Sequence, residues 1–147
     1  HTSGLLQSPD LEKVYFAENV RVYLEEATPR VKATLSHNIS WKDFSFYLRN
    51  TYYGKVTSPD LIDVNGDGTI GAQEHQSIAD KVITDVSAAY QFTENVGLSL
   101  GVNNVFDIYP TKNLTASTNN DQFIYSRSTS QFGLNGRYVF ARINFNF

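Results

Sequence analysis

The sequence predicts an all-β fold: an antiparallel up-and-down transmembrane β-barrel segment of five to six long strands. Three observations predict it. Apolar and polar residues alternate through much of the chain, the period-2 signature of a strand with two unlike faces. The alternating segments exceed the ~5–6 residues of ordinary globular strands and reach the ~9–11 that a tilted membrane-crossing strand needs. Short and long connections also alternate, which gathers the short turns at one end of the sheet and the long loops at the other, the asymmetry of membrane barrels.

The first strong segment is Val31 to Trp41, where Val31, Ala33, Leu35, His37, Ile39 and Trp41 share a face. Lys32, Thr34, Ser36, Asn38 and Ser40 form the opposite, wholly polar face. Lys42-Asp43 is a tight turn into a second strand, Asp43 to about Lys55, with Phe44, Phe46, Leu48 and Tyr52 (and Asn50) on one side and Ser45, Arg49 and Thr51, with Tyr47 and Tyr53, on the other. After a long connection, Val56 to Asp80, a third strand runs from Lys81 to Phe92, and its even positions Val82, Val86, Ala88, Tyr90 and Phe92 are apolar. Thr93-Glu94-Asn95 turns into a fourth, with Val96, Leu98, Leu100, Val102 and Phe106 on one face. The second long connection, Asp107 to Asn135, precedes a fifth strand from Gly136 to Phe147, where Val139, Ala141, Ile143, Phe145 and Phe147 alternate with Arg142, Asn144 and Asn146. A sixth strand is expected near Val14 to Leu24, where the alternation is poorer.

The polar faces are rich in Ser, Thr, Asn and Gly, as suits a hydrated lumen, and the apolar faces suit lipid. Trp41, Tyr52, Tyr53, Tyr90, Phe92, Phe145 and Phe147 stand near strand ends, where membrane proteins place interfacial aromatics. Ten Phe and nine Tyr raise the aromatic share to 14%, while charged residues make up only 18% of the 147 residues, below the roughly 25% of soluble domains. The formal net charge of -3 and the lack of a basic cluster exclude nucleic acid as a partner. With Cys 0, disulfides, thiolate zinc sites and a Cys nucleophile are excluded. No G-x-S-x-G element or placed Ser-His-Asp set is present, so no catalysis is expected. No apolar run approaches the ~18 residues of a spanning helix. The chain starts at His1 with no Met, so it is expected to be processed or part of a longer protein.

Two stretches carry a family resemblance. Gly101-Val102-Asn103-Asn104-Val105-Phe106-Asp107-Ile108-Tyr109-Pro110 resembles the NxFD signature that ends the penultimate strand of TonB-dependent outer-membrane receptors. Gly136 to Phe147, with its terminal Phe, resembles the last strand of that family and the general outer-membrane C-terminal signal. Thr28-Pro29-Arg30 is similar to a further stretch upstream in the same barrels. The resemblance implies that residues 1–147 are the C-terminal part of a barrel of about 22 strands in the bacterial outer membrane. It implies short turns at the periplasm and two extracellular loops, at about 56–80 and 107–135. It also implies uptake of a scarce ligand by the whole receptor. The implied partners are outer-membrane lipid, the plug and remaining strands, the barrel-assembly machinery through the strand ending at Phe147, and TonB through the family's N-terminal region. The plug and the TonB-contacting box have no counterpart in these residues. Five or six strands fall short of the about eight of the smallest bacterial barrels.

One motif stands apart from the strands. Asp63-Val64-Asn65-Gly66-Asp67-Gly68-Thr69-Ile70-Gly71-Ala72-Gln73-Glu74 fits D-x-[DN]-x-[DN]-G-x5-E in full. Ca²⁺ takes about 6–8 oxygen ligands, and a loop of about 12 residues wraps them around it. Asp63, Asn65 and Asp67 would give side-chain oxygens, Thr69 its carbonyl and Glu74 a bidentate carboxylate, with a water at Gly71. Gly68 permits the sharp turn, Ile70 anchors the loop, and Ala72 to Asp80 is expected to exit as a short helix. Ser58-Pro59-Asp60 breaks any entering helix, so this is a lone calcium loop with a structural role. Asn-Gly-Asp-Gly is equally good turn chemistry, and a solvated acidic turn is the plainer alternative. His1, His37 and His75 show no metal spacing. The second loop, with Phe123, Tyr125 and Arg127, suits either ligand contact or plain solvation. Two other readings fit the pattern: a secreted or surface Ca²⁺-dependent β-sandwich binding module, and a complete small outer-membrane barrel.

Overall fold

The computed structural model describes residues 15, 17–59, 66, 68, 75–114, 120, 122–126, 129 and 131–147. They fall into two compact units, a sheet unit (Val31–Tyr53, Asp80–Tyr109 and Gly133–Phe147) and a loop unit (His1–Arg30, Gly54–Ala79 and Pro110–Phe132).

The sheet unit holds β1 (Lys32–Trp41), β2 (Phe44–Tyr53), β5 (Lys81–Thr93), β6 (Val96–Asn103) and β7 (Tyr138–Phe145). The sheet order is β1-β2-β5-β6-β7, and every neighbouring pair is antiparallel. This is an up-and-down sheet in the order of the chain, as the alternation predicts. Each strand pairs in a register that keeps like with like: Ile39, Phe46, Ala88, Leu100 and Ala141 form one row across all five strands. A slip of one residue would turn each strand's apolar set to the other side. At one end Trp41 pairs with Phe44 and Thr93 with Val96, across short turns. At the other end Tyr53 pairs with Lys81 and Asn103 with Tyr138, and both long connections leave from there. The β1–β2 turn is made by Lys42, whose φ of 51° is left-handed, and Asp43, whose carbonyl accepts the Gln91 amide at 2.9 Å. Between Gln91 and Thr93 the ladder to β6 shifts register, and Phe92 is the extra residue of a bulge.

The loop unit corrects the sixth-strand expectation. Val14 is outside the described residues, and Glu18–Glu26 is an α-helix, α1. Val20, Val22 and Leu24 mimic strand alternation, but only Val22 is fully buried, at 2% exposure, while Leu24 is 68% exposed. The Arg21–Glu25 ion pair at 3.0 Å, one helical turn apart, fits the helix and not a strand. The first long connection also contains a two-stranded ribbon, β3 (Val56–Ser58) with β4 (Gln76–Ile78). Val56 and Ile78 face each other across it, and α1 packs on β3. Among the described residues Val22, Ala27, Val56 and Ile78 form the buried hydrophobic core of this unit. The exiting helix expected over Ala72–Asp80 is likewise not formed at Gln76–Ile78. Residues 72–74 lie outside the described residues.

Candidate functional site

The two faces of the sheet are the functional surface. On one face stand Leu35, Ile39 and Trp41 of β1, Phe44, Phe46 and Leu48 of β2, Val82, Val86, Ala88 and Tyr90 of β5, and the apolar rows of β6 and β7. These side chains are not buried by a second layer. Ile39 is 61% exposed, Leu100 53% and Ile143 61%. Soluble proteins rarely expose a contiguous apolar patch beyond a few hundred Å². A sheet-wide apolar face left open is what lipid requires, and it argues against the sandwich, whose inner face must be covered by another sheet.

The aromatic residues concentrate where the chain enters the short turns. Trp41, Phe44, Tyr90 and Phe92 lie at that end, with the Phe44 and Tyr90 rings 4.5 Å apart and Tyr90 edge-on to Phe92 at 4.9 Å. Phe145, paired with Val96, completes the row. Lys42 places its ammonium 5.3 Å from the Trp41 ring. Tyr52 lies on the same face at the opposite end. Tyr53, counted with these strand-end aromatics, lies on the polar face where the alternation puts it, and Lys32 sits 4.9 Å above its ring. The period-2 geometry dictates this, since Tyr52 and Tyr53 are adjacent on one strand.

Within the apolar face His37, Asn50 and Thr84 are the polar exceptions. Thr84 donates its hydroxyl proton to Asn50 Oδ1 at 2.8 Å, which pairs two groups that lipid would leave unsatisfied.

The opposite face is polar and internally bonded. Arg49 and Asp85 are direct cross-strand partners, and Arg49 donates from Nε at 2.9 Å and from Nη2 at 2.7 Å to Asp85 Oδ2. Asp85, itself buried, accepts the Asn104 amide on Oδ1 at 2.8 Å. One carboxylate thus ties β2, β5 and the chain leaving β6. On the same face Phe140 lies over Gly101, and a Cβ on that glycine would meet both its ring and Ser87.

The NxFD-like stretch folds into a corner that explains its residue types. Asn104 and Asp107 have φ of 51° and 56°, left-handed values that Asn and Asp tolerate better than other side chains. The Asp107 amide closes the turn on the Asn104 carbonyl at 2.9 Å. The Asn104 side chain then imitates a strand neighbour, since it donates to the Ile108 carbonyl and accepts the Ile108 amide, both at 2.8 Å. Asp107 Oδ1 accepts the Arg137 amide at 2.7 Å, which ties the corner to the entry of β7. Gly136 has no room for a Cβ, because the Tyr109 hydroxyl and Asp107 carboxylate occupy that space.

The sequence motif singles out this corner, but the Arg49–Asp85–Asn104 network is missed by motif reading. The available signal is that Arg49 and Asp85 are opposite charges on the polar faces of consecutive long strands.

Asp63, Asn65, Asp67, Thr69 and Glu74, the expected calcium ligands, all lie outside the described residues, as do Ile70, Gly71 and Arg127. Of their neighbours, Gly66 and Gly68 are described, with φ of 76° and 84°. Among the described residues no group of three or more potential metal ligands comes together. No described helix is long and apolar enough to cross a membrane, which says nothing of strands.

No protein-family model matches the chain. The chain is 30% identical over 115 residues to the ferrienterobactin receptor of Escherichia coli (strain K12), a match that covers 71% of this chain and 15% of that protein. The crystal structure of a variant of the ferric enterobactin receptor of Pseudomonas aeruginosa matches its fold with a TM-score of 0.55 and 20% identity, over 82% of this chain and 16% of that one. Both relatives are named as receptors. The chain therefore spans about a sixth of the length of the proteins it matches.

Proposed function

We propose, because the chain belongs to the TonB-dependent outer-membrane receptors, that the whole protein imports a scarce ferric chelate across the bacterial outer membrane. This chain would be a C-terminal length of its barrel wall. The observation that carries the reading is the five-stranded sheet with one exposed apolar face and one bonded polar face. The outer strands β1 and β7 each have a neighbour on one side only within the sheet. Unpaired edges are excluded in hydrocarbon, so the wall needs the further strands of a closed barrel. The polar face would line the lumen around the plug, and the long connections would be extracellular. Energy would come from TonB through the receptor's N-terminal part. The barrel-assembly machinery would read the last strand, ending at Phe147, and lipid would cover the apolar face. The wall would perform no catalysis.

The ligand follows the two relatives, both named for the ferric complex of enterobactin. The test is growth of the host on ferric enterobactin under iron starvation. Deleting the whole gene should stop growth, and the restored gene should rescue it only when TonB is present. Growth unaffected by the deletion, or rescue without TonB, contradicts the reading.

The first long loop is proposed to hold Ca²⁺ through Asp63, Asn65, Asp67, Thr69 and Glu74, in a structural role. The full ligand spacing supports this, as do the positive φ values of Gly66 and Gly68, which a tight wrap around an ion calls for. An extracellular module of this kind binds at about 10⁻⁴–10⁻³ M. Ca²⁺ should protect the loop from protease, and Asp63→Ala or Glu74→Ala should abolish that protection. Equal cleavage of the natural sequence with and without Ca²⁺ would sink the calcium site.

A further inference from the structure

The Asn50–Thr84 pair stands in the apolar face with a donor left over. Asn50 Oδ1 accepts the Thr84 hydroxyl at 2.8 Å, and Asn50 Nδ2 has no partner among the described residues. Further strands of the barrel would not supply one, because Asn50 is on β2, whose neighbours β1 and β5 are both in place. Plain hydrocarbon offers no acceptor, so an apolar ligand that carries an oxygen at this position is favoured over a bare chain.

Beside the pair the face is hollow. Val86 follows Thr84 on β5, one row nearer the short turns, and pairs with Val102. In the next row Phe46, Ala88, Leu100 and Ala141 lie side by side and alternate large with small. These residues line an apolar trough of about 520 Å³, within the ~300–1,000 Å³ of sites that hold small ligands. Ala88 and Ala141 are exposed, so the hollow comes from their short side chains.

Depth selects the ligand. The aromatic row at the short-turn end, which includes Phe92, marks the inner edge of the apolar band. Thr84 lies further along β5 by about 26 Å at ~3.3 Å per residue, which is about 20 Å of depth at a tilt of ~40°. The pair therefore sits roughly 5 Å inside the outer edge of a band ~25 Å tall. The trough runs from it towards the midplane. This is the outline of an outer-leaflet lipid, with oxygens near the outer edge and a chain descending from them. A glycerophospholipid keeps its ester oxygens at the edge itself. Lipopolysaccharide carries hydroxyl and ester oxygens further along its acyl chains, at the depth of Asn50.

We infer that Asn50, Thr84 and the trough over Ala88 form a seat for one lipopolysaccharide molecule. Asn50 Nδ2 donates to an acyl-chain oxygen, and the chain lies in the trough. The inference rests on the barrel-wall reading above, which turns the long connections outward.

The test isolates the full receptor from outer membranes in a mild detergent and counts its retained lipids by native mass spectrometry. The natural receptor should keep one lipopolysaccharide. Asn50→Leu removes the donor and should lower that occupancy roughly tenfold, the worth of about one net hydrogen bond. Ala88→Phe fills the trough at an exposed position and leaves the polar pair intact. It should lower the occupancy as much, which guards against a folding defect at residue 50. Ile143→Val, on the same face outside the trough, should leave it unchanged. A glycerophospholipid or a second receptor copy retained in place of lipopolysaccharide overturns the inference, as does undiminished occupancy in Asn50→Leu and Ala88→Phe. A natural receptor that sits in the outer membrane but retains no lipopolysaccharide overturns the seat alone. A receptor that fractionates outside the outer membrane overturns the barrel-wall reading and the seat with it.

Discussion

The apolar and polar faces of the one sheet are built from the same strands at alternate residues, yet they follow opposite rules. On the apolar face the large side chains stay open to the surroundings, and Thr84 and Asn50 bond to each other. On the polar face a carboxylate is buried, an arginine is held by it and a glycine is roofed by a phenylalanine. The lesson is that exposure here does not mean contact with water. On the proposed reading one face meets lipid, where charge is costly, and the other relies on charge and hydrogen bonds for its order.

The largest effect expected is on the polar side. Asp85→Leu in the full receptor leaves Arg49 without its partner and the Asn104 amide without its acceptor. The loss should be about 3 kcal/mol of folding free energy, less than for a fully buried pair because Arg49 is partly exposed. Urea titration of the barrel refolded into lipid vesicles measures it, and a loss under 1 kcal/mol would show that the network does not order this face. Next comes the apolar side. Ile39→Arg should cost about 2 kcal/mol in the same titration, the penalty for a cation in the lipid-facing band away from its midplane. Ser40→Arg, one residue on and facing the polar side, should be close to neutral. Equal costs would break the comparison between faces. Gly101→Ala should cost about 1–2 kcal/mol, since Phe140 must give way. Smallest is Ser36→Ala, which removes a 3.4 Å contact between the exposed Ser36 and the Tyr47 hydroxyl and should change stability by less than about 0.5 kcal/mol.

How much of this was legible in the sequence depends on the scale of the signal. The five long strands were, because a period of two persists through each and the turns at Lys42-Asp43 and Thr93–Asn95 interrupt it sharply. The register followed, since one slip would exchange the faces. The Val14–Leu24 reading failed at α1 because Val20, Val22 and Leu24 alternate over too few residues to separate strand from helix; one buried contact at Val22 and the Arg21–Glu25 spacing decide it. The β3–β4 ribbon was not legible. Its strands are three residues each, and Gln131, from a distant part of the chain, bonds the Gly54 and Ala79 carbonyls at its neck. The motif reading marked Asn104 and Asp107 but not their reason, which is the pair of left-handed φ values and the amides they bind.

The central claim is that β6 crosses the outer membrane with its even positions toward lipid and its odd positions toward the water-filled interior. These residues contain no cysteine, so single cysteines can be introduced along that strand. Leu98→Cys, Ser99→Cys, Leu100→Cys, Val102→Cys and Asn103→Cys would be made in the full receptor, with any other cysteine replaced. Each would carry a fluorophore, and quenching by brominated lipid would be compared with quenching by a water-soluble agent. The account predicts lipid quenching at residues 98, 100 and 102 and aqueous quenching at 99 and 103. Uniform quenching along the strand, or aqueous quenching at the even positions, would contradict it.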